Sequence, residues 1–233
     1  MFALFLLPAV FAQASKDPAP SAEESGNFAL DAVFGYLNMA GTNKVSDFKP
    51  LTQHKRNQLY KKALVNPVWY FRGAVSAAQN QWLDKPHEWE QGGKGYGKRY
   101  ADIMGQYAIQ KTTTFGLESL LHEDNRYFGS QRTGFWPRTR YALSSGILAR
   151  RDNGTRRFSL SLVGGYASAA FLSRLWQPPS ANTLGDGAAS FGISMGWNIG
   201  FSVVKEFLPD LLRPLTGKSG PPKTPPGQVS EHK

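Results

Sequence analysis

The chain has 233 residues, 41% of them hydrophobic and 13% aromatic, which suffices for one folded domain with a core and excludes global disorder. It carries 27 Lys and Arg against 17 Asp and Glu, a net charge of +10, and so favours anionic partners: lipid head groups, lipopolysaccharide or nucleic acid. There is no cysteine, which excludes disulfides, thiol catalysis and cysteine-ligated metals.

Phe2 to Phe11 is an apolar run too short to span a bilayer, and Ala12-Gln13-Ala14 has the small-x-small form of a signal-peptidase site. Residues 1–14 are therefore expected to be a signal peptide, although no Lys or Arg precedes the run. An exported, envelope-located protein does not meet nucleic acid, which leaves membrane or anionic lipid head groups as the expected partner. Residues 15–50 read as a Ser-, Ala- and Pro-rich linker with a short amphipathic helix marked by Leu30, Val33, Phe34 and Leu37.

The folded part is expected over 51–210. Thr52 can cap a helix to about Val65, and Pro67 can open the next, with Val68, Phe71, Val75, Ala78 and Trp82 on one face. Asp84 to Gly95 reads as a loop. A long helix follows with Tyr96, Tyr100, Ile103, Tyr107, Gln110, Thr114, Leu117 and Leu121 on one stripe; the β-branched run Thr112 to Thr114 suggests a kink. Pro137 can open a helix to about Arg150. Asp152-Asn153-Gly154 is a turn, and Ser159 can cap a helix to Trp176. The last helix falls within Asn182 to Pro209, and 211–233 reads as a disordered Pro-rich tail.

Two of these helices carry small residues at every fourth position. Ala188, Gly192, Gly196 and Gly200 form one row; Ser161, Gly165, Ala169 and Ser173 form the other. Three helical glycines cost about 3 kcal/mol in propensity, and close approach of a second helix along the bare stripe would offset that. The fold class expected is mainly α, a helical bundle around a GxxxG-type pair made by these two rows. A leucine at Gly196 should then force the helices apart. Gly187 to Val204 also lacks any charge over eighteen residues, roughly 27 Å of helix, which raises a transmembrane helix as an expectation. The rival is an outer-membrane β-barrel, because Phe158, Leu160 and Leu162 alternate with polar residues beside a strong Asn153-Gly154 hairpin turn. The alternation fails after Leu162 and no series of such strands exists, so the helical reading is preferred.

Four blocks resemble a large uncharacterised family of exported bacterial proteins of acidobacterial type. They are Gly97-Lys98-Arg99-Tyr100, Leu120 to Phe128 (LLHEDNRYF), Arg140-Tyr141-Ala142-Leu143-Ser144, and Lys205 to Asp210 (KEFLPD). The resemblance covers roughly Leu51 to Asp210. It implies an exported, membrane-associated protein and says nothing about chemistry. In the family pattern a proline follows the acidic residue of the second block; Asn125 stands there in this chain, so the same rigid turn is not implied.

Motifs that suggest chemistry are weak. Gly192-Ile193-Ser194-Met195-Gly196 has the serine-hydrolase spacing, but its glycines continue the helical row, and the only later histidine is His232 in the tail. Gly217-Lys218-Ser219 lacks the first glycine of a phosphate loop, and Gly92, Gly93, Gly95 and Gly97 miss the dinucleotide spacing. Glu118, His122 and Arg126 fall four apart and could line one helix face as a polar or acid/base site, with a plain Glu118–Arg126 pair as the simpler reading. This is the alternative function, a soluble periplasmic protein with a small-ligand site. No metal or cofactor is implied, and no catalytic residue is assigned.

The arginine cluster carries more weight. Arg132, Arg138, Arg140, Arg150, Arg151, Arg156 and Arg157 lie within 26 residues that hold one acid, Asp152, interleaved with Phe135, Trp136, Tyr141 and Phe158. That mixture suits a lipid interface, where arginines meet phosphates and aromatics sit at head-group depth. The expectation is a non-enzymatic, membrane-associated protein with a structural or membrane-organising role, a homo-oligomer being one form that role could take.

Overall fold

A computed structural model describes residue 45 and residues 48–212 of the protein. The expected signal peptide, the amphipathic helix at Leu30 to Leu37 and the tail beyond residue 212 lie outside the described residues.

The fold is mainly α-helical, as the periodicities require. Helix α1 (Gln53–Leu64) starts where expected, with the Thr52 hydroxyl accepting from the Lys55 N–H at 3.3 Å. Helix α2 (Pro67–Trp82) has Pro67 at its first position, and the Asn66 side chain accepts from the Val68 N–H at 3.0 Å. Helix α3 (Gly92–Leu121) is the axis of the molecule and runs unbroken through Thr112 to Thr114. Both preceding helices pack antiparallel to it. Tyr60 stacks on Phe115 at 4.4 Å while Gln53 donates to Ser119, and Trp69 stacks on Tyr107 at 4.8 Å while Tyr96 donates to the Ala74 carbonyl.

Arg99, wholly buried, explains why α2 and α3 meet as they do. Its guanidinium donates to the carbonyls of Lys85, Pro86 and Glu90 and to the Gln81 side chain, so one charge gathers the loop between the helices. Buried charges persist only when their donors are satisfied, and here four acceptors do so.

Beyond α3 the chain makes β1 (Glu123–Asp124), α4 (Phe135–Ser145), β2 (Leu148–Arg151), β3 (Arg156–Phe158), α5 (Leu160–Leu172) and α6 (Leu184–Leu212). The strands form an antiparallel sheet in the order β1-β2-β3. The helix expected from Pro137 to Arg150 therefore stops at Ser145, and the hairpin signal at Asn153-Gly154 is realised inside a helical protein. Gly154 takes φ +78°, and the Arg151 N–H donates to the Thr155 carbonyl at 2.9 Å. There is no closed barrel among the described residues.

Helix α5 is fixed at its start by Glu123. That carboxylate accepts from the Ser161 N–H at 2.9 Å and the Ser161 hydroxyl at 2.6 Å, while the Ser159 hydroxyl caps the Leu162 N–H at 3.1 Å. Asn125 joins in, accepting from Ser159 at 2.6 Å and donating to Ser161 and Glu118 at 2.8 Å. A proline at this position would lack these bonds, so Asn125 gives the chain a polar tie in place of a rigid turn.

The expected helix pair needs correction. The α5 row is buried throughout (Ser161, Gly165, Ala169, Ser173), but its partner is α3, and a Cβ on Gly165 would lie 2.9 Å from the Gln110 carbonyl and collide with Thr114. The α6 row faces out: Ala188, Gly192, Gly196 and Gly200 are exposed, and a Cβ on any of these glycines meets nothing within 4 Å. Helix α6 buries a different face, with Gly187, Met195, Ser202 and Glu206, against α4 and α5. The glycine that permits its close approach is Gly146 at the end of α4, where a Cβ would lie 2.7 Å from the Ile199 Cα. The transmembrane expectation also falls: among the described residues no helix is long and apolar enough to cross a membrane.

Candidate anion-binding site

The three short strands set one row of charges side by side. Asp124 is opposite Arg150, and Arg150 is opposite Arg156. Directly opposed residues of an antiparallel pair share a face with their Cβ atoms about 5 Å apart, and like charges there are destabilising. One carboxylate could neutralise one guanidinium in this row. Arg126 takes it instead, gripping Asp124 with Nε at 3.0 Å and Nη2 at 2.7 Å. Arg150 and Arg156 have no carboxylate within 4 Å among the described residues.

Aromatic rings and hydroxyls hold the two arginines in place. The Arg156 guanidinium lies 4.5 Å from the ring centre of Tyr141, and Arg150 lies 5.3 Å from that of Phe128. Arg156 donates to the Ser145 hydroxyl at 2.8 Å and the Ser144 hydroxyl at 3.1 Å; Arg150 donates to the Gly154 carbonyl at 3.1 Å and reaches the Tyr141 oxygen at 3.4 Å. Tyr141 is buried, and its hydroxyl donates to the Phe128 carbonyl at 2.9 Å. From the loop before α4 Arg132 adds a third guanidinium, 5.7 Å from the Tyr141 ring centre. Asp124, Tyr141, Ser145, Arg150 and Arg156 are among the residues that line a small, open cleft. Burial lowers the pKa of Arg156, and the neighbouring Arg150 and Arg132 push it the same way.

The expected cluster of seven arginines thus divides. Arg150 and Arg156 line the cleft, and Arg132 lies near the Tyr141 ring. Arg138 is committed to the interior: it donates to Glu206 at 2.9 Å and to Asp210 at 2.5 Å, and the same Glu206 accepts from the Tyr127 hydroxyl at 2.7 Å. Arg151, opposite Glu123 in β2, is half-buried, with its Nε lacking a hydrogen-bond partner. Arg140 and Arg157 are exposed.

The polar site expected at Glu118, His122 and Arg126 does not assemble. Helix α3 ends at Leu121, and His122 takes a left-handed conformation (φ 54°) that turns the chain away. Its ring pairs with Asp152 at 3.1 Å, Arg126 pairs with Asp124, and Glu118 accepts from Asn125. The simpler Glu118–Arg126 pair is absent for the same reason. Burial pushes the Glu118 carboxyl up. Ser194 lies in the middle of α6 and not at a strand-to-helix turn, so the hydrolase spacing has no counterpart in the fold. No group of three or more acidic or histidine side chains that could hold a metal occurs among the described residues.

Sequence reasoning missed Asp124, Ser144 and Ser145, and treated Tyr141 only as an interfacial aromatic. One available signal was the hairpin itself. A turn at Asp152 to Thr155 sets Arg151 against Thr155 and places Arg150 across from Arg156. Comparison with known protein families, curated proteins and solved structures finds no match for this chain.

Proposed function

We propose that this is a peripheral, non-catalytic protein of the cell envelope that rests on an anionic lipid surface through the outer face of α4. The observation that carries the reading is the inverted character of that helix. Trp136, Arg140 and Leu143, at i, i+4 and i+7, all point to solvent, and Trp136 is 68% exposed. The inner positions are Arg138, Tyr141, Ala142 and Ser145, of which Arg138 is spent on ion pairs. An ordinary surface helix places its large apolar residues the other way round.

Phe135, 59% exposed, packs edge-on against Trp136 and stacks on Phe207 of α6 at 5.3 Å, so the aromatic edge is held firmly on the body of the protein. Tryptophan flanked by arginine is the composition of a head-group belt. The apolar leader at Phe2 to Phe11 and the net charge of +10 support export and attraction to anionic lipid.

Co-sedimentation with phosphatidylcholine vesicles, with and without phosphatidylglycerol, tests this. The parent should bind the anionic vesicles and lose part of that binding in high salt. The double substitution Trp136→Ser, Arg140→Gln should release it into the supernatant. A double variant that sediments like the parent would defeat the assignment of α4 as the contact face.

A further inference from the structure

Each guanidinium carries five N–H donors in a planar fork. Arg150 uses two, on Gly154 and Tyr141, and Arg156 uses two, on Ser144 and Ser145. About three donors per arginine are left, side by side across one β-pair and with no further acceptor among the described residues. The protein keeps this like-charge pair beside a buried tyrosine, with a third arginine near, while the one carboxylate of that row is bound to Arg126. A fork–fork contact satisfies one arginine with one carboxylate; two adjacent forks are better matched by an anion with more than two oxygens and more than one charge.

We propose that the cleft between Arg150 and Arg156 binds a phosphate group, either inorganic phosphate or the terminal phosphate of a phosphomonoester. A dianionic tetrahedral group offers separate oxygens to the two forks and offsets the repulsion between them. Tyr141 is the platform of the site. Its ring carries Arg156 and Arg132, and its oxygen tethers Arg150, while its own proton is spent on the Phe128 carbonyl. The Ser144 and Ser145 hydroxyls both donate to the Tyr141 carbonyl, which aims their lone pairs at Arg156. The site does not depend on α4 touching a membrane; the membrane reading bears only on where the phosphate comes from.

Calorimetry of the full chain in phosphate-free, low-salt buffer tests the site with inorganic phosphate as the probe. The parent should give saturable heat with one site, and phosphate should raise its melting temperature. Arg150→Gln and Arg156→Gln should each weaken binding about tenfold or more, since each removes charged hydrogen bonds. Arg157→Gln, one residue along β3 and exposed, should bind like the parent. Melting each variant without phosphate reports on folding, and loss of one like charge should leave it unchanged or raised. Should Arg156→Gln melt lower, Arg156→Lys keeps the charge and loses the fork, and should still bind more weakly than the parent.

The two sources are separated with phosphatidic acid vesicles. Displacement of the protein from them by inorganic phosphate, but not by acetate, assigns the site to a lipid head group. Calorimetric binding without such displacement assigns it to a free oxyanion. The proposal is overturned if the parent gives no saturable heat, if acetate binds as tightly as phosphate, or if both glutamine variants bind like the parent. Vesicle binding that survives these results leaves the role of α4 standing, so the two readings fail separately.

Discussion

Helices α5 and α6 carry the same pattern, small residues at every fourth position, and put it to opposite use. On α5 the row is buried, and Gly165 sits against the backbone of α3. On α6 the row is bare, and the helix is held from its other side through Met195, Ile199, Ser202 and Glu206. Spacing decides which residues share a face. It does not decide which face finds a partner. Orientation on α5 comes from outside the row, because Glu123, Ser159 and Asn125 clamp its first turn. On α6 it comes from Glu206, whose carboxylate ties Tyr127, Ser130 and Arg138 to the last third of the helix.

The largest effect that would sharpen this contrast is expected at Gly165. Replacing it by leucine drives a side chain into Thr114 and the Gln110 carbonyl. Overpacking costs about 1–3 kcal/mol and occasionally more, and the backbone oxygen gives little room to relax. Even Gly165→Ala should lower the melting temperature, although alanine is favoured over glycine in a helix by about 1 kcal/mol. A Gly165→Ala protein that melts above the parent would show that α3 and α5 are not in close contact.

Next in size is Gly146→Ala. Its Cβ would press on the Ile199 backbone, with a cost on the order of 1 kcal/mol, and the loss should appear as a lowered urea midpoint. This glycine was not singled out in the sequence because it stands alone at a helix end. The architecture was nonetheless readable wherever a local rule acts on its own: Thr52 and Ser159 cap as their side chains dictate, and Pro67 opens α2. The direction of α6 was not readable, because Gly187 to Val204 carries no charge on any side and so has no charged face to point outward. The cleft was hidden for a different reason. Its members come from β1, β2, β3 and α4, and a helix assumed to run to Arg150 places Arg150 and Arg156 on no common surface.

A smaller effect follows from the inner side of α6. Loss of water pushes the half-buried Lys205 ammonium down to about 8, and nearby Lys111 pushes it the same way; burial also lowers Lys111 itself. The unfolded chain keeps its lysine protons to about pH 10.4, so between about 8 and 10 the unfolded state binds more protons and stability rises with pH. Tyr166, raised to about 12 by burial, acts with the opposite sign, since above pH 10 the unfolded tyrosine ionises first and stability is lost. Thermal melting from pH 7 to 11 should therefore pass through a maximum near 10. Lys205→Met should flatten the rising limb, and an unchanged limb would mean that Lys205 stays fully hydrated in the folded protein.

The smallest effect is the one that divides the two rows most cleanly. A leucine at Gly196 would be disruptive if the α6 row met a helix of the same chain, but a Cβ there meets nothing within 4 Å. Substitution at this position therefore changes propensity and little else. Gly196→Ala should stabilise by about 0.5–1 kcal/mol, because a helical glycine spends more backbone entropy on folding than alanine does. Gly196→Leu should stabilise by a similar or slightly smaller amount, since leucine is nearly as good a helix former as alanine. Paired with Gly165→Ala, the experiment gives one chemical change at two equivalent positions in the pattern, with opposite signs expected. Chemical unfolding of both variants at one low protein concentration measures this, since dilution removes any contribution from association between copies. If Gly196→Ala instead lowers the unfolding midpoint there, the bare row does pack within one chain, and the distinction between α5 and α6 is lost.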